Sequence, residues 1–233
     1  VLFRSQWKVG VGANSYHGPP STSPGSRLPM GLADKHNQLL YPVPTAFMSP
    51  QEIESDYLAS FRAWLAIHGD TVGCLLIEPQ WGSSAAAFPW PRQVLRHVVD
   101  LCHAAGILVV ADEIMCGLGR HGQKQTLFLS QAWDLDVDAV TFGKSIAGGV
   151  FPLSGVALRA GASVLHAGGR TVMQSHTYSG SNVRSLMTAV EVLRKIPSLY
   201  EHMASNATVL ERAMRAFASQ SKSLFRVQGL GLM

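Results

Sequence analysis

Three apolar runs, each followed by an ionisable residue, constrain the fold of this chain more than any other feature. They are Val72–Ile77 before Glu78, Ile107–Ala111 before Asp112, and Ala139–Phe142 before Gly143 and Lys144. None of the runs alternates apolar with polar residues, and helical patterns separate them, at 91–105 and around 127–133. Continuous apolar strands joined by helices are typical of a parallel sheet that is buried on both faces. We therefore predict an α/β fold with a mostly parallel sheet and helices on both faces.

The ionisable residues after these runs predict a site. Glu78, Asp112 and Lys144 follow one another at intervals of 34 and 32 residues, which suit successive strand–helix–strand units. In open α/β sheets, ligands bind at the carboxyl ends of the strands, so all three side chains can face one crevice. An acid after an apolar run is costly to bury unless a cation or a hydrogen-bond donor meets it. Helix capping or a structural ion pair remains the alternative for Asp112, and simple solvation remains the alternative for Lys144.

Other elements can be assigned from local patterns. Ser49, Pro50 and Glu52 form a helix start, with serine at the cap, proline in the first turn and an acid after it. The segment from Asn14 to about Pro44 is rich in Gly, Pro and Ser and is predicted to be one long loop. We also predict strands at 7–12 and 155–158, and helices at 183–195 and 198–219.

Composition excludes several classes of function. The net charge is +4, but the 19 basic residues are scattered, so we expect neither a nucleic-acid partner nor an anionic-membrane surface. The sequence has no stretch of about 18 apolar residues, so we predict no membrane span. Three cysteines without C-x-x-C spacing and nine histidines without an H-E-x-x-H pattern predict no disulfide framework and no metal site. With no signal peptide in residues 1–6, a reducing cytoplasm is the expected location.

Six short motifs occur in the order and spacing of one enzyme family. The stretch from Ala111 to Gly122, ADEIMCGLGRHG, resembles the D-E-V-x-x-G-x-G-R-x-G signature of class III aminotransferases. The stretch from Asp138 to Ser145, DAVTFGKS, with Gly148, Gly149 and 152–155 (PLSG), resembles their cofactor-lysine segment. Four more motifs agree: Tyr16-His17-Gly18, Ile77-Glu78-Pro79, residues 176–180 (HTYSG) and residues 228–233 (QGLGLM). Each motif alone is weak, but together they extend from about Trp7 to Met233.

The resemblance implies pyridoxal 5'-phosphate as the cofactor and a role for each matching residue. Lys144 would carry the cofactor as a Schiff base and move the proton, which requires a more reactive amine than a free lysine. Asp112 would pair with the protonated pyridine nitrogen. Glu78 would lie near the lysine and the ring. Ile114 and Tyr16 would pack on the two ring faces, and Thr177 would bind the phosphate from the neighbouring subunit of a homodimer.

Four features depart from the family pattern. Met115 stands where some members have glutamine, and Gln80, Trp81 and the following serines replace a glycine-rich turn. Trp81 either shapes the substrate pocket or simply packs. Ser181 and Asn182 replace N-P or H-P, and the sequence does not explain this change. The upstream phosphate loop and the C-terminal small domain of relatives have no counterpart in the sequence.

These features predict the domain organisation of a fragment. Residues 1–6 are a scar or the start of the fragment, residues 7–220 are an incomplete large pyridoxal-phosphate-binding domain, and residues 221–233 begin a truncated C-terminal small domain. We expect such a fragment, taken alone, to bind the cofactor poorly.

The expected function is a transaminase that moves an amino group between an amine or ω-amino acid and a keto acid such as pyruvate. Two alternatives remain open at this point. The first is another enzyme on the same scaffold: an aminomutase, a racemase or a decarboxylating aminotransferase, which would share Lys144 and Asp112. The second is an inactive fragment.

Overall fold

A computed structural model describes residues 8–13, 15–18, 38–45, 48–123, 125–160, 182–223 and 226–233. Its centre is a six-stranded sheet in the order β2-β1-β3-β4-β5-β6. The strands are β1 (Lys8–Gly12), β2 (Gln38–Tyr41), β3 (Val72–Ile77), β4 (Leu108–Asp112), β5 (Ala139–Phe142) and β6 (Gly155–Leu158). All neighbouring pairs are parallel except β5 with β6. The predicted mostly parallel α/β fold is therefore confirmed.

The helices are α1 (Pro50–Glu52), α2 (Leu58–His68), α3 (Arg92–Ala104), α4 (Leu129–Ala132), α5 (Val183–Lys195) and α6 (Tyr200–Gln220). A π-helical turn, Ile53–Tyr57, joins α1 to α2 without a break. The predicted start at Ser49 is confirmed as a capping box. The backbone N–H of Ser49 donates to Glu52 Oε2 at 2.6 Å, and the N–H of Glu52 donates to Ser49 Oγ at 3.2 Å. These reciprocal bonds satisfy donors that a helix end leaves free.

One prediction for the N-terminal part was wrong. Residues 38–41 belong to a strand, β2, and not to the long loop expected from Asn14 to Pro44. Tyr41 is fully buried, packs edge-on against Phe61 and Trp64, and donates a hydrogen bond to the carbonyl of Leu76 at 2.8 Å. Residues 38–41 form a strand because of this tertiary packing, and not because of a local sequence pattern.

Two groups of buried apolar side chains stabilise the sheet. The larger group joins the sheet to α2 and α3 and includes Phe61, Trp64, Leu75, Leu95 and Val98. The smaller group consists of Leu118, Ile146, Ala189 and Ile196, and so connects α5 to the turn after β5. Burying a large apolar side chain contributes about 1.5–3 kcal/mol, so each large member of these groups stabilises the fold. None of the described helices has the length and apolar character that crossing a membrane requires.

Polar contacts fix the edge of the sheet where β5 begins. Asp138 accepts a hydrogen bond from the backbone N–H of Val109 at 2.8 Å, and its carboxylate lies 3.0 Å from His103 Nε2. Because the strands are parallel, this edge is opposite to the one that carries Asp112. Asp138 therefore has a structural partner at the amino ends of β4 and β5, away from the predicted site.

Candidate active site

A cavity of about 340 Å³ lies at the carboxyl ends of β3, β4 and β5. Five of the six residues predicted for the site line it, namely Tyr16, Glu78, Asp112, Ile114 and Lys144. His17, Gly18, Met115 and residues 82–84 complete its wall. Thr177, the sixth, lies outside the described residues. A cavity of this size fits the range of small-molecule and cofactor sites in proteins.

Lys144 reaches the cavity from a strained turn. It begins the 3-10 helix Lys144–Ala147, with one residue, Gly143, between it and the end of β5, and its φ angle is 49°, in the left-handed region. A lysine in that region costs free energy that the surrounding structure has to offset, and such outliers are concentrated at functional sites. Gly148 and Gly149 follow with φ angles of 63° and 74°, which glycine adopts without strain. The amine is exposed, and among the described residues no carboxylate forms an ion pair with it.

Asp112 is held by two hydrogen bonds. Its Oδ2 lies 2.7 Å from Nδ1 of His17, and its Oδ1 accepts the backbone N–H of Ile114 at 3.2 Å. The side chains of His17 and Asp112 are only 3% and 12% exposed. An ionised carboxylate only accepts hydrogen bonds, so Nδ1 of His17 is the donor in this pair. The two hydrogen bonds fix the orientation of the Asp112 carboxylate at the cavity wall.

His17 is the residue that the sequence reasoning missed. It stands between Tyr16 and Gly18 in the Tyr-His-Gly motif, and only the motif itself could have drawn attention to its side chain. Its contact with Asp112 spans 95 residues of sequence, and no local pattern predicts such a pairing.

Glu78 lines the cavity and is almost fully buried. Its Oε1 accepts the backbone N–H of Tyr16 at 3.2 Å, and its Oε2 accepts that of Gly82 at 3.1 Å. Burial raises the pKa of Glu78, and His17 together with the two N–H groups offsets only part of that rise. Glu78 thus connects the two segments that contribute Tyr16 and Gly82 to the cavity.

Glu113 follows Asp112 but has a structural role. Its carboxylate is buried and accepts the backbone N–H groups of Leu129 and Ser130 at 2.6 and 2.7 Å and the Ser130 hydroxyl at 2.6 Å. These bonds fix the start of α4. Burial raises the pKa of Glu113, and the hydrogen bonds from Ser130, Leu129 and Cys116 act against that rise.

Two of the departures from the family pattern have physical explanations. Trp81 packs: it is 1% exposed, stacks on Phe88 and Trp90, and donates its indole N–H to Ser15 Oγ at 3.2 Å. It does not line the cavity. Asn182 caps α5, because its Oδ1 accepts the backbone N–H of Ser185 at 3.2 Å. Ser181 lies outside the described residues.

Comparison with known proteins identifies the family. The family model described as aminotransferase class-III matches residues 14–233. Among curated relatives, aminotransferase PigE of Serratia sp. is 29% identical over 98% of this chain and 26% of its own length. The 4-aminobutyrate aminotransferase GabT of Escherichia coli is 33% identical over 88% of this chain and 46% of its own.

The fold also matches solved structures. The taurine:2-oxoglutarate aminotransferase of Bifidobacterium kashiwanohense, solved with PLP and glutamate, superimposes with a TM-score of 0.83. It is 22% identical, and the match covers 98% of this chain and 53% of that structure. This chain thus spans about half or less of the length of these relatives. By its sequence match and its fold, it belongs to the class III aminotransferase family.

Proposed function

We propose that this chain is the cofactor-binding part of a pyridoxal-phosphate-dependent transaminase that acts on an amine or ω-amino acid and a keto acid such as pyruvate. The observation that carries the proposal is that the Lys144 amine and the Asp112 carboxylate line one cavity at the ends of adjacent strands. Residues 7–220 would form the large domain and residues 221–233 would begin a small domain. We also propose a cytoplasmic location.

The residues present fit pyridoxal phosphate. The cavity offers an amine for covalent attachment, a carboxylate held in place by His17, and the side chains of Tyr16 and Ile114 for packing against a flat ring. Pyridoxal phosphate, when bound, supplies an aldehyde that takes up amino groups and a ring that withdraws electrons from the substrate carbon. Thr177 would bind the phosphate across the interface of a homodimer.

Each residue then has a defined task. Lys144 would hold the cofactor covalently, and its amine, when free, would take up and return the proton that the substrate carbon loses. Asp112 keeps a proton on the ring nitrogen, because a nearby carboxylate stabilises the protonated form. Glu78 keeps Tyr16 and Gly82 in position through their backbone N–H groups. The left-handed turn at Lys144 fixes where the amine enters the cavity.

A spectroscopic experiment tests the proposal. In the complete protein, added pyridoxal phosphate should produce a visible absorption band that decays with an amine donor and recovers with a keto acid. A panel of amines and ω-amino acids against pyruvate and 2-oxoglutarate then identifies the substrates. Turnover that needs no keto acid would indicate an aminomutase or a racemase, and release of carbon dioxide would indicate a decarboxylating enzyme. Absence of the band would contradict the proposal.

His17 provides a second test, because asparagine can replace its Nδ1 donor whereas leucine cannot. Removing a hydrogen bond to a charged group costs about 1.5–3 kcal/mol. His17→Leu should therefore weaken pyridoxal phosphate binding roughly tenfold to a hundredfold, and His17→Asn should restore most of the affinity. Titration of the visible band gives the dissociation constants. Equal constants for the wild type and His17→Leu would show that His17 does not support Asp112.

A further inference from the structure

One side of the cavity is a turn in which two alanines are strained. We call residues 82–87 the rim turn. Gly82, Ser83 and Ser84 line the cavity, and Ala86 and Ala87 follow with φ angles of 51° and 59°. Residues with a Cβ atom avoid this left-handed region, so the turn persists only because contacts from elsewhere hold it.

Two backbone hydrogen bonds lie within the rim turn. Ala86 donates its N–H to the carbonyl of Ser83 at 3.5 Å. Ala87 donates its N–H to the carbonyl of Gly82 at 3.0 Å, but this bond leaves the carbonyls of Ala85, Ala86 and Ala87 to be satisfied by other groups. Phe88 donates to Ala85 at 3.2 Å. The remaining donors come from two glutamine side chains.

The two glutamine carboxamides approach the rim turn from different segments. Gln80 Nε2 donates to the carbonyl of Ala87 at 3.1 Å and to that of Leu230 at 3.3 Å. Gln228 Nε2 donates to the carbonyls of Ala86 at 2.7 Å and Ala85 at 3.1 Å. Both hydrogen bonds that the Gln228 carboxamide donates therefore go to the rim turn, which is more than 140 residues away in the sequence.

Backbone contacts hold the segment that carries Gln228 in place. Leu232 donates its backbone N–H to the carbonyl of Arg120 at 2.9 Å. Gly231 has a φ angle of 67° and lies so close to the backbone of Arg120 and His121 that a side chain would not fit. The C-terminal segment 226–233 is therefore anchored to the loop that follows Asp112. The hydrogen bonds of Gln228 connect the rim turn to this anchored segment.

We propose that Gln228 is a positioning residue for substrate selection, which sets where Ser83 and Ser84 stand in the cavity wall. This inference rests on the proposed function, because it assigns the rim turn to the substrate side of that site. Gln228 does not line the cavity, and its carboxamide donates to Ala85 and Ala86. Its loss should therefore change how substrates fit without changing how the cofactor is held.

The choice of side chain at position 228 provides the test. Glutamate has the shape of glutamine but no N–H donor, so Gln228→Glu places a carboxylate against two carbonyl oxygens. Gln228→Arg keeps N–H donors and is the rescue variant, and Gln228→Ala removes the contact without adding charge. Gln93, exposed on α3, gives the matched control Gln93→Glu.

The experiment uses the complete protein loaded with pyridoxal phosphate, an amine donor and pyruvate. We expect Gln228→Glu to raise the KM for the amine about tenfold, the effect of one to two lost hydrogen bonds, with kcat changed less than about twofold. The visible band should be unchanged, and backbone amides of residues 82–88 should exchange hydrogen faster. Gln228→Ala should show a smaller change in the same direction, whereas Gln228→Arg and Gln93→Glu should resemble the wild type.

Three results would overturn the inference, and they can be told apart. If the wild type shows the band and Gln228→Glu leaves KM and amide exchange unchanged, Gln228 does not position the rim turn. If Gln228→Glu and Gln228→Ala lower kcat, cofactor affinity and thermal stability together, Gln228 is a general structural residue. A wild type without the band would overturn the proposed function, and this inference with it.

Discussion

Replacing Lys144 with alanine should abolish covalent attachment of pyridoxal phosphate and lower the transamination rate by more than about a thousandfold. Lys144 supplies both the attachment amine and the proton-moving group of the proposed site, so one substitution removes both. The fold should remain, because the side chain is exposed and its removal leaves no buried cavity. Alanine also keeps the left-handed turn at the same backbone cost as lysine.

The matched control is Lys144→Arg, which keeps the positive charge but lacks a nucleophilic amine. Both variants should lose the visible band, and both should unfold within a few degrees of the wild type. The visible spectrum, the rate with an amine and pyruvate, and the thermal midpoint give the three readings. Appreciable turnover by either variant would show that Lys144 does not have its proposed role.

Replacing Asp112 with asparagine should have the second largest effect. The change keeps the shape of the side chain but removes the charge that holds the proton on the ring nitrogen. Electrostatic contributions of this kind are worth about 3–4 kcal/mol, so the half-reaction with an amine should slow by a factor of roughly a hundred to a thousand. The loss should fall on proton abstraction, and stopped-flow absorbance of the half-reaction measures that step.

Asp138→Asn is the control for Asp112→Asn. Asp138 is also a partly buried carboxylate with a histidine partner, but it lies at the opposite edge of the sheet. Asp138→Asn should lower the free energy of unfolding and leave the half-reaction rate near that of the wild type. Comparable half-reaction rates for Asp112→Asn and the wild type would rule out the role of Asp112.

The sheet could be predicted because its signals are local and strong. The runs Val72–Ile77 and Ala139–Phe142 are strands with the predicted bounds, and the strand predicted at Ile107–Ala111 is shifted by one residue. Burial on both faces requires continuous apolar residues, and that requirement is visible in the sequence. Strand β2 gave no such signal, because its four residues lie in a Gly- and Pro-rich region and become a strand through pairing with β1 and burial of Tyr41.

The strand-end residues of the candidate site could also be predicted. Parallel strands bring Glu78, Asp112 and Lys144 to one edge, so their meeting at a cavity follows from the order of elements. The partners of those residues were not predictable. The His17 contact with Asp112 and the Gln228 contact with the rim turn join distant segments through loops, whose paths depend on packing that no periodicity describes.

Borohydride reduction of the complete protein loaded with pyridoxal phosphate, followed by peptide mapping, shows which lysine carries the cofactor. Reduction makes the link between the cofactor and its lysine permanent, so the labelled peptide identifies the residue. We expect one pyridoxyl label, on Lys144, at the start of the turn after β5. A label on another lysine, such as Lys8, with Lys144 unmodified would contradict this expectation.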